Sequence, residues 1–340
     1  MMKVKELAQK LNLSPATVSL VLNDRPGISE ATREKVRKAV IELGCEDMFS
    51  GRGGQKKTIL FVVYRKNATQ GDGAQRFSQL FSEIIEGVES QAKKRDFQLM
   101  ISYMDQQSFQ DELLRIRGIK ADGVILLATE MNENQLDAFM ELDMPLVVLD
   151  NYIGTKKYDS VTINNEQGVF EAVSFLKEMG HRRIGYFHIT QNANNFRDRY
   201  FGFFIAMERL NIPIEKKYIL EFDTNGGDSL QEETQKRLES LKEMPTAFFA
   251  DNDILAISAI QSLKRLGYRI PEDISVIGFD NMPLSEILDP PLTTIQVQKK
   301  KMGIVAVNLL IDKMEEEGEG NLKMEVSASL IVRQSVKRLE

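Results

Sequence analysis

Apolar positions recur at helical spacing through the first 44 residues and then give way to short apolar runs separated by longer amphipathic ones. Residues 3–11, KVKELAQKL, bring Val4, Leu7, Ala8 and Leu11 onto one face. Residues 14–23, SPATVSLVLN, do the same with Val18, Val21 and Leu22, while Pro15, Ala16, Thr17 and Leu20 look elsewhere. Ser14 offers a hydroxyl acceptor to a free backbone N–H at the helix start, and Pro15 fills the first helical position, where a missing N–H costs nothing. NDRPG breaks this helix, Ser29 caps the next, and Val36, Val40 and Leu43 point inward before Gly44 stops it. Helices this short do not hold themselves together in water, so the three are expected to pack on one another. Two helices joined by a short turn, with a supporting third, form the helix-turn-helix plan.

The run 45–57, CEDMFSGRGGQKK, has three glycines and no helical period, which predicts a flexible linker. From Thr58 the pattern is that of repeated βαβ units. TILFVVY, FQLMISY, GVILLA and PLVVLD read as buried strands, with helices over 77–95, 107–117 and 132–142. The alternation restarts with RIGYFHI, YILEF, TAFFA and ISVIGF, with helices over 166–179, 195–210, 230–241 and 254–266. TTIQV is extended, residues 298–316 form a long helix, and MEVSASLIVRQSV alternates as a strand. The expected fold is an N-terminal three-helix DNA-binding module (1–44), a linker (45–57) and an α/β body (58–340) of two parallel-sheet halves. The boundaries expected in the body are about 58–162 plus 294–322 for one half and about 163–292 plus 323–337 for the other. Ligands of such sheets bind at the carboxyl ends of the strands, so two facing halves enclose a cleft.

Charge sharpens the division. The net charge is −6, yet residues 1–57 carry 11 Lys and Arg against 7 Asp and Glu, leaving 33 basic and 43 acidic residues in the remainder. Phosphate contacts favour the first part, and self-repulsion keeps the second off nucleic acid. The single Cys45 excludes an internal disulfide framework and points to a reducing compartment. No apolar run approaches the roughly 20 residues that span a bilayer, and MMKVKELAQK lacks the apolar core of a secretory signal. A cytoplasmic protein is expected.

Catalytic motifs are missing from the sequence. There is no GxxxxGK[ST], no GxSxG, no HExxH and no paired-cysteine spacing. His181 and His188 are the two histidines, and a helix end and a strand interior give each a structural role. Neither an enzyme, a cofactor nor a metal is expected.

The stretches LSPATVSLVLN, ISEATREKV, VTINNEQG, GHRRIGYF, FFADNDILA and PEDISVIGFDNMPLSEILDPPLTTI occur in an order that resembles the LacI/GalR family of transcriptional repressors. The resemblance implies a homodimer whose N-terminal modules bind pseudo-palindromic operator DNA. It also implies a body like a periplasmic sugar-binding protein, with two subdomains joined by three crossovers around a sugar-like effector. Carried over residue by residue, it places Ser14, Pro15, Ala16, Thr17, Ser19, Leu20 and Asn23 at DNA. It places Arg199, Asp280, Asn252 and Asp150 at the effector, with Arg197 as a companion and Asp253 as a helix cap. An arginine fork suits vicinal hydroxyl oxygens, and carboxylates at strand ends accept ligand hydroxyls.

Three departures stand out. Leu20 occupies a position where the family usually has an arginine able to grip guanine, whereas leucine offers apolar contact alone. The run 45–57 lacks the alanine-arginine-leucine hinge pattern whose leucine enters the minor groove. The loop RKNATQGDGAQRFSQ is longer than usual beside the cleft, with Phe77 and Phe81 available to the pocket or to core packing. Alternatives at this stage are a ligand-binding module that no longer reads DNA specifically, a sugar-active enzyme, and a catabolite-control regulator using a protein co-effector.

Overall fold

Three short helices open the chain in the computed structural model, α1 (Val4–Leu11), α2 (Pro15–Leu22) and α3 (Glu30–Glu42). The structure describes residues 4–22, 25–45, 56–66, 72–191, 193–223, 230–315 and 320–340, so Asn23 and most of the 45–57 linker lie outside the described residues. Leu7, Ala8, Val18, Val21, Leu22, Val36 and Val40 form the core of this unit. Ser14 caps α2 as its position predicts, its Oγ accepting from Thr17 N at 2.9 Å, and Ser29 caps α3 through Thr32 N. Gly44 takes φ +59° just past α3, a left-handed stop that glycine adopts at little cost. Leu43 departs from expectation: it is the C-cap residue of α3 and is 37% exposed, because the helix has ended before it can turn inward.

The chain divides into two compact units, Met1–Lys57 with Asp96–Gln98, and Thr58–Arg95 with Leu99–Glu340. The second unit contains two six-stranded sheets. Its elements run β1 (Thr58–Arg65), α4 (Asp72–Lys94), β2 (Gln98–Asp105), α5 (Phe109–Arg117), β3 (Gly123–Leu127), α6 (Glu133–Met140), β4 (Leu146–Leu149) and β5 (Asp159–Ile163). They continue with α7 (Asn165–Glu178), β6 (Ile184–Ile189), α8 (Asn194–Arg209), β7 (Ile219–Phe222), α9 (Leu230–Glu239), β8 (Ala247–Ala250) and α10 (Asp253–Arg265). The last are β9 (Ser275–Asp280), α11 (Pro283–Ile287), β10 (Thr293–Gln296), α12 (Lys299–Glu315), β11 (Lys323–Val326) and β12 (Ser329–Ile331). One sheet has the order β11-β5-β4-β3-β1-β2 and the other β12-β10-β9-β8-β6-β7. The strands β3, β4, β6 and β8 are buried along their whole length, as parallel strands covered on both faces must be.

The chain passes between the sheets three times, after β5, after β10 and after β11. Two of the expected boundaries move. Thr293–Gln296 pairs with β9 in the second sheet rather than opening a return to the first. Lys323–Val326 pairs parallel with β5 in the first sheet rather than belonging to the second. The single strand expected over 324–336 is therefore two short strands, one in each sheet, with β12 antiparallel to β10. The strand β5 and the short helix α11 have no counterpart among the predicted elements. Asp159, Ser160 and Thr162 interrupt the apolar run of β5, yet all five of its residues are buried.

Two contacts fix the elements that line the cleft. The first is the crossing of α4 and α12, which approach through Gly87 and Gly303. A Cβ on Gly303 would lie 2.4 Å from Ile84 O and 2.8 Å from Val88 N, and one on Gly87 would lie 2.2 Å from Lys300 O. The obstacles are backbone atoms, so the helices themselves would have to separate. The second is Asp253, fully buried at the first turn of α10. Its Oδ2 accepts from Met282 N at 2.7 Å and Ser285 Oγ at 2.6 Å, and its Oδ1 accepts from Thr294 Oγ1. One carboxyl thus holds α11 and β10 beside the end of β9.

Burial, reinforced by the nearby Asp280 carboxylate, pushes the Asp253 carboxyl up to about 7 against the pull of its three hydrogen bonds. The folded state binds this proton more tightly than the unfolded chain, where the value is near 3.8. Its stabilising contribution is therefore full below about pH 4 and falls as the pH rises to about 7. Asp253→Asn retains all three contacts, with the amide oxygen facing Met282 N and Ser285 and the amide nitrogen donating to Thr294. Thermal unfolding should find the variant close to the parent at about pH 4 and more stable at pH 8, by on the order of a few kcal/mol. An equal difference at both pH values would contradict the assignment. Gly303→Ala should destabilise by about 1–3 kcal/mol in the same measurement, the usual cost of overpacking.

Candidate functional site

The carboxyl ends of strands from both sheets converge on a cavity of about 350 Å³. Its walls take Thr129 and Glu130 after β3, Asp150 after β4, Ile163 at the end of β5 and Val297 after β10. Ile189 and Gln191 come from the end of β6, Asn252 from beyond β8 and Asp280 from the end of β9. Helices supply most of the rest, including Phe81 and Ile84 from α4, Asn195, Phe196 and Arg199 from α8, and Lys299 and Met302 from α12. Parallel strands point their last residues the same way, so strand ends gather unlike side chains at one edge.

A chain of polar contacts crosses this cavity. Thr129 Oγ1 donates to Asp150 Oδ2 at 2.7 Å, and Asn195 Nδ2 donates to Asp150 Oδ1 at 3.0 Å. Asn195 Oδ1 accepts from Asn165 Nδ2 at 2.9 Å, and Asn165 Oδ1 accepts from Arg199 Nε at 2.9 Å. Arg199 then reaches Asp280 Oδ1 through Nη2 at 3.2 Å and the Asp251 carbonyl through Nη1. Its guanidinium carbon lies 3.7 Å from the centroid of the Phe279 ring, a stacked cation–π placement. Asp280 also offers its backbone carbonyl to Lys299 Nζ at 2.7 Å.

The electrostatics follow from burial. Desolvation pushes the Asp150 carboxyl above its ordinary range, although hydrogen bonds from Thr129 and Asn195 and the charge of Arg199 oppose it. Asp150 and Asp280 both take positive φ, +63° and +104°, which side chains rarely adopt. Such backbone costs of order 1–3 kcal/mol per residue and collects at binding sites. Both carboxylates are aimed into the cavity by this turn at their strand ends.

Arg199, Asp280, Asn252 and Asp150 all line the cavity. Asn252 also caps α10, its Oδ1 accepting from Leu255 N at 2.8 Å, so the amide nitrogen is the group it can offer a ligand. Asp253 does not cap the helix as expected, because its carboxyl is engaged with α11 and β10. Arg197 is absent from the cavity wall and is half exposed, with Nε 3.9 Å from Asp198 Oδ1. It sits two positions from Arg199 on α8, which turns it to another face of the helix. Asn195 escaped the sequence reading, although it lies one turn before Arg199 on the same helical face. Thr129 and Lys299 carried no signal beyond their position near strand ends. Phe81 is buried and reaches the cavity, while Phe77 lies outside the described side chains. His181 bonds Thr246 Oγ1 and the Lys337 carbonyl, and His188 bonds Asp251, so each is held by protein partners.

In the N-terminal unit, Ser14, Pro15, Ala16 and Leu20 are exposed on α2 and its cap, while Thr17 and Ser19 are half-buried. No helix among the described residues is long and apolar enough to cross a membrane.

Comparison with known proteins places both units. A family model described as bacterial regulatory proteins, lacI family, matches residues 3–45, and one described as a periplasmic binding protein-like domain matches residues 173–336. The chain is 31% identical to the HTH-type transcriptional repressor PurR of Aliivibrio salmonicida (strain LFI1238), over 100% of both chains. It is 32% identical to the HTH-type transcriptional repressor CytR of Escherichia coli (strain K12), over 99% of its own length and 96% of that relative. The lac repressor dimer bound to operator and the anti-inducer ONPF aligns over 99% of each chain with a TM-score of 0.74 at 23% identity, a likeness of fold. With its N-terminal helices matched by one family model, residues 173–336 by the other and its full length by these repressors, the chain belongs to the lacI family of bacterial regulatory proteins.

Proposed function

We propose that this transcriptional repressor is controlled by an uncharged, polyhydroxylated small molecule, a sugar or sugar derivative, bound in the cavity at the strand ends. The observation that carries the reading is the presence of Asp150, Arg199 and Asp280 in the cavity lining together with apolar side chains from α4. Carboxylates and a guanidinium fork accept from and donate to hydroxyl groups, and Phe81, Ile84 and Phe196 suit the C–H face of a ring. Charge supports a neutral ligand. Glu130, Asp150, Asp223, Glu233 and Asp280 line the cavity against Arg199 and Lys299, and both cations already bond protein groups. A phosphorylated ligand would meet acidic walls with no cation in reserve among the described lining residues to receive it.

Control follows from geometry. A ligand that touches both halves of the body favours one arrangement of them over another, and only such differential binding shifts a regulator between states. The protein acts as a cytoplasmic homodimer on a two-fold operator, since one α2 reads too few base pairs to be selective alone. It regulates rather than catalyses, for the Asp150 and Asp280 carboxyl groups are engaged in hydrogen bonds with the protein rather than paired as acid and base.

A thermal-shift screen over neutral saccharides, nucleosides and sugar phosphates tests this. A neutral ligand at about 100 times its Kd should stabilise the protein by about 2.7 kcal/mol, and the phosphorylated counterpart should not. Arg199→Lys, which keeps a positive charge beside Asp280 but loses the paired donors, should abolish the shift while leaving operator binding largely intact. Unchanged effector affinity in that variant would show the site assignment to be wrong.

A further inference from the structure

The DNA-facing helix has an unusual surface. The sequence of α2, PATVSLVL, contains no charged and no amide side chain. Val18, Val21 and Leu22 are consumed by the core. The residues left exposed are Pro15 and Ala16 at its first turn and Leu20 one turn on, all apolar. The hydroxyls of Ser14 and Thr17 are drawn into the cap, with Ser14 Oγ 2.8 Å from Thr17 Oγ1 and accepting from Thr17 N, and Ser19 is half-buried. The first turns of such a helix are the part that reaches base edges in the major groove.

Each base pair offers that groove a different chemistry. Guanine is read by the paired donors of arginine or lysine, and adenine by the donor and acceptor of asparagine or glutamine. The exposed side chains of α2 can supply neither. The one apolar group in the major groove is the C5 methyl of thymine. Affinity for the duplex has a separate source in the exposed lysines of the neighbouring helices, Lys5 and Lys10 on α1 and Lys35 and Lys38 on α3, which suit phosphates and carry no sequence information.

We propose that Leu20, flanked by Pro15 and Ala16, selects operator sequence by packing against thymine methyl groups, so that each half-site presents A·T pairs to α2 where an arginine at position 20 would demand guanine. This rests on the reading of the protein as a sequence-specific repressor. Leu20 is a specificity residue whose selectivity is a matter of shape and desolvation rather than hydrogen bonding.

The experiment begins with selection of preferred duplexes from a randomised library by the full-length protein. Each thymine of the enriched site is then replaced by deoxyuridine, which keeps every hydrogen-bonding group and removes only the methyl. At one or two positions per half-site, affinity should fall by about fourfold per methyl group, the factor expected for burying one such carbon. In Leu20→Ala the parent duplex should bind more weakly and the uracil penalty should vanish at the Leu20 position. In Leu20→Arg the selected base there should change from thymine to guanine. Leu20 lies outside the core, so both variants should unfold at the parent temperature. Enriched sites that tolerate uracil at every position within twofold, or a uracil penalty that persists in Leu20→Ala, would overturn the methyl readout while leaving the repressor reading in place. A library that yields no enriched site would overturn both.

Discussion

The body of this protein is organised around the burial of one guanidinium. Arg199 is 3% exposed and cannot shed its charge, so every direction in which it points must present an acceptor. Asp280 at the end of β9, the Asp251 carbonyl beyond β8 and Asn165 at the start of α7 meet that demand, and the Phe279 ring covers its face. The partners come from the ends of β8 and β9 and from α7, so the need to satisfy one side chain on α8 fixes how two strand ends and two helices are placed. The unusual backbone of Asp280 is held by the same contact, which compensates a conformation its side chain disfavours.

From Arg199 the polar chain continues into the other half. Asn165 orients Asn195, and Asn195 bonds Asp150, which belongs to the first sheet. Further contacts span the same gap, with Gln191 Nε2 donating to Glu130 Oε1 at 3.0 Å and Tyr152 OH to Asp198 Oδ1 at 3.2 Å. Three crossovers connect the halves covalently, and these hydrogen bonds connect them reversibly. A ligand whose hydroxyls compete for Asp150 or Arg199 must replace bonds that help hold the halves together. Binding energy is thereby coupled to their arrangement, as a control element requires.

The sequence was legible where one physical signal dominated. Continuous apolar runs located most of the strands, and helical spacing with Ser14 and Ser29 as caps located the N-terminal helices. Asp150 and Asp280 were named through the family resemblance, and both line the cavity at the ends of their strands, where buried parallel strands bring their last residues to a common edge. Where two signals competed, the reading failed. The strand β5 hides behind Asp159, Ser160 and Thr162, whose polar groups are buried but bonded, Asp159 to Lys313 and Leu322 N among others. Asn252 and Asp253 are both good caps by type, and the choice between them was made by Met282, Ser285 and Thr294, residues remote in sequence. The allocation of β10 and β11 depends on which neighbour each strand meets, and strand pairing between distant segments leaves no local mark.

The N-terminal unit divides affinity from specificity in the same physical terms. Its basic surplus attracts any duplex, while the acidic remainder of the chain opposes that attraction, and both effects weaken as salt screens them. Apolar contact between Leu20 and a methyl group involves no charge and is not screened. Raising the salt concentration therefore lowers affinity for specific and random DNA together while the ratio between them is retained. A helix with charged base-reading side chains would give up part of its discrimination along with its affinity. An apolar reading face is thus suited to a protein whose net charge is −6, because selectivity does not draw on an electrostatic attraction that the rest of the molecule resists.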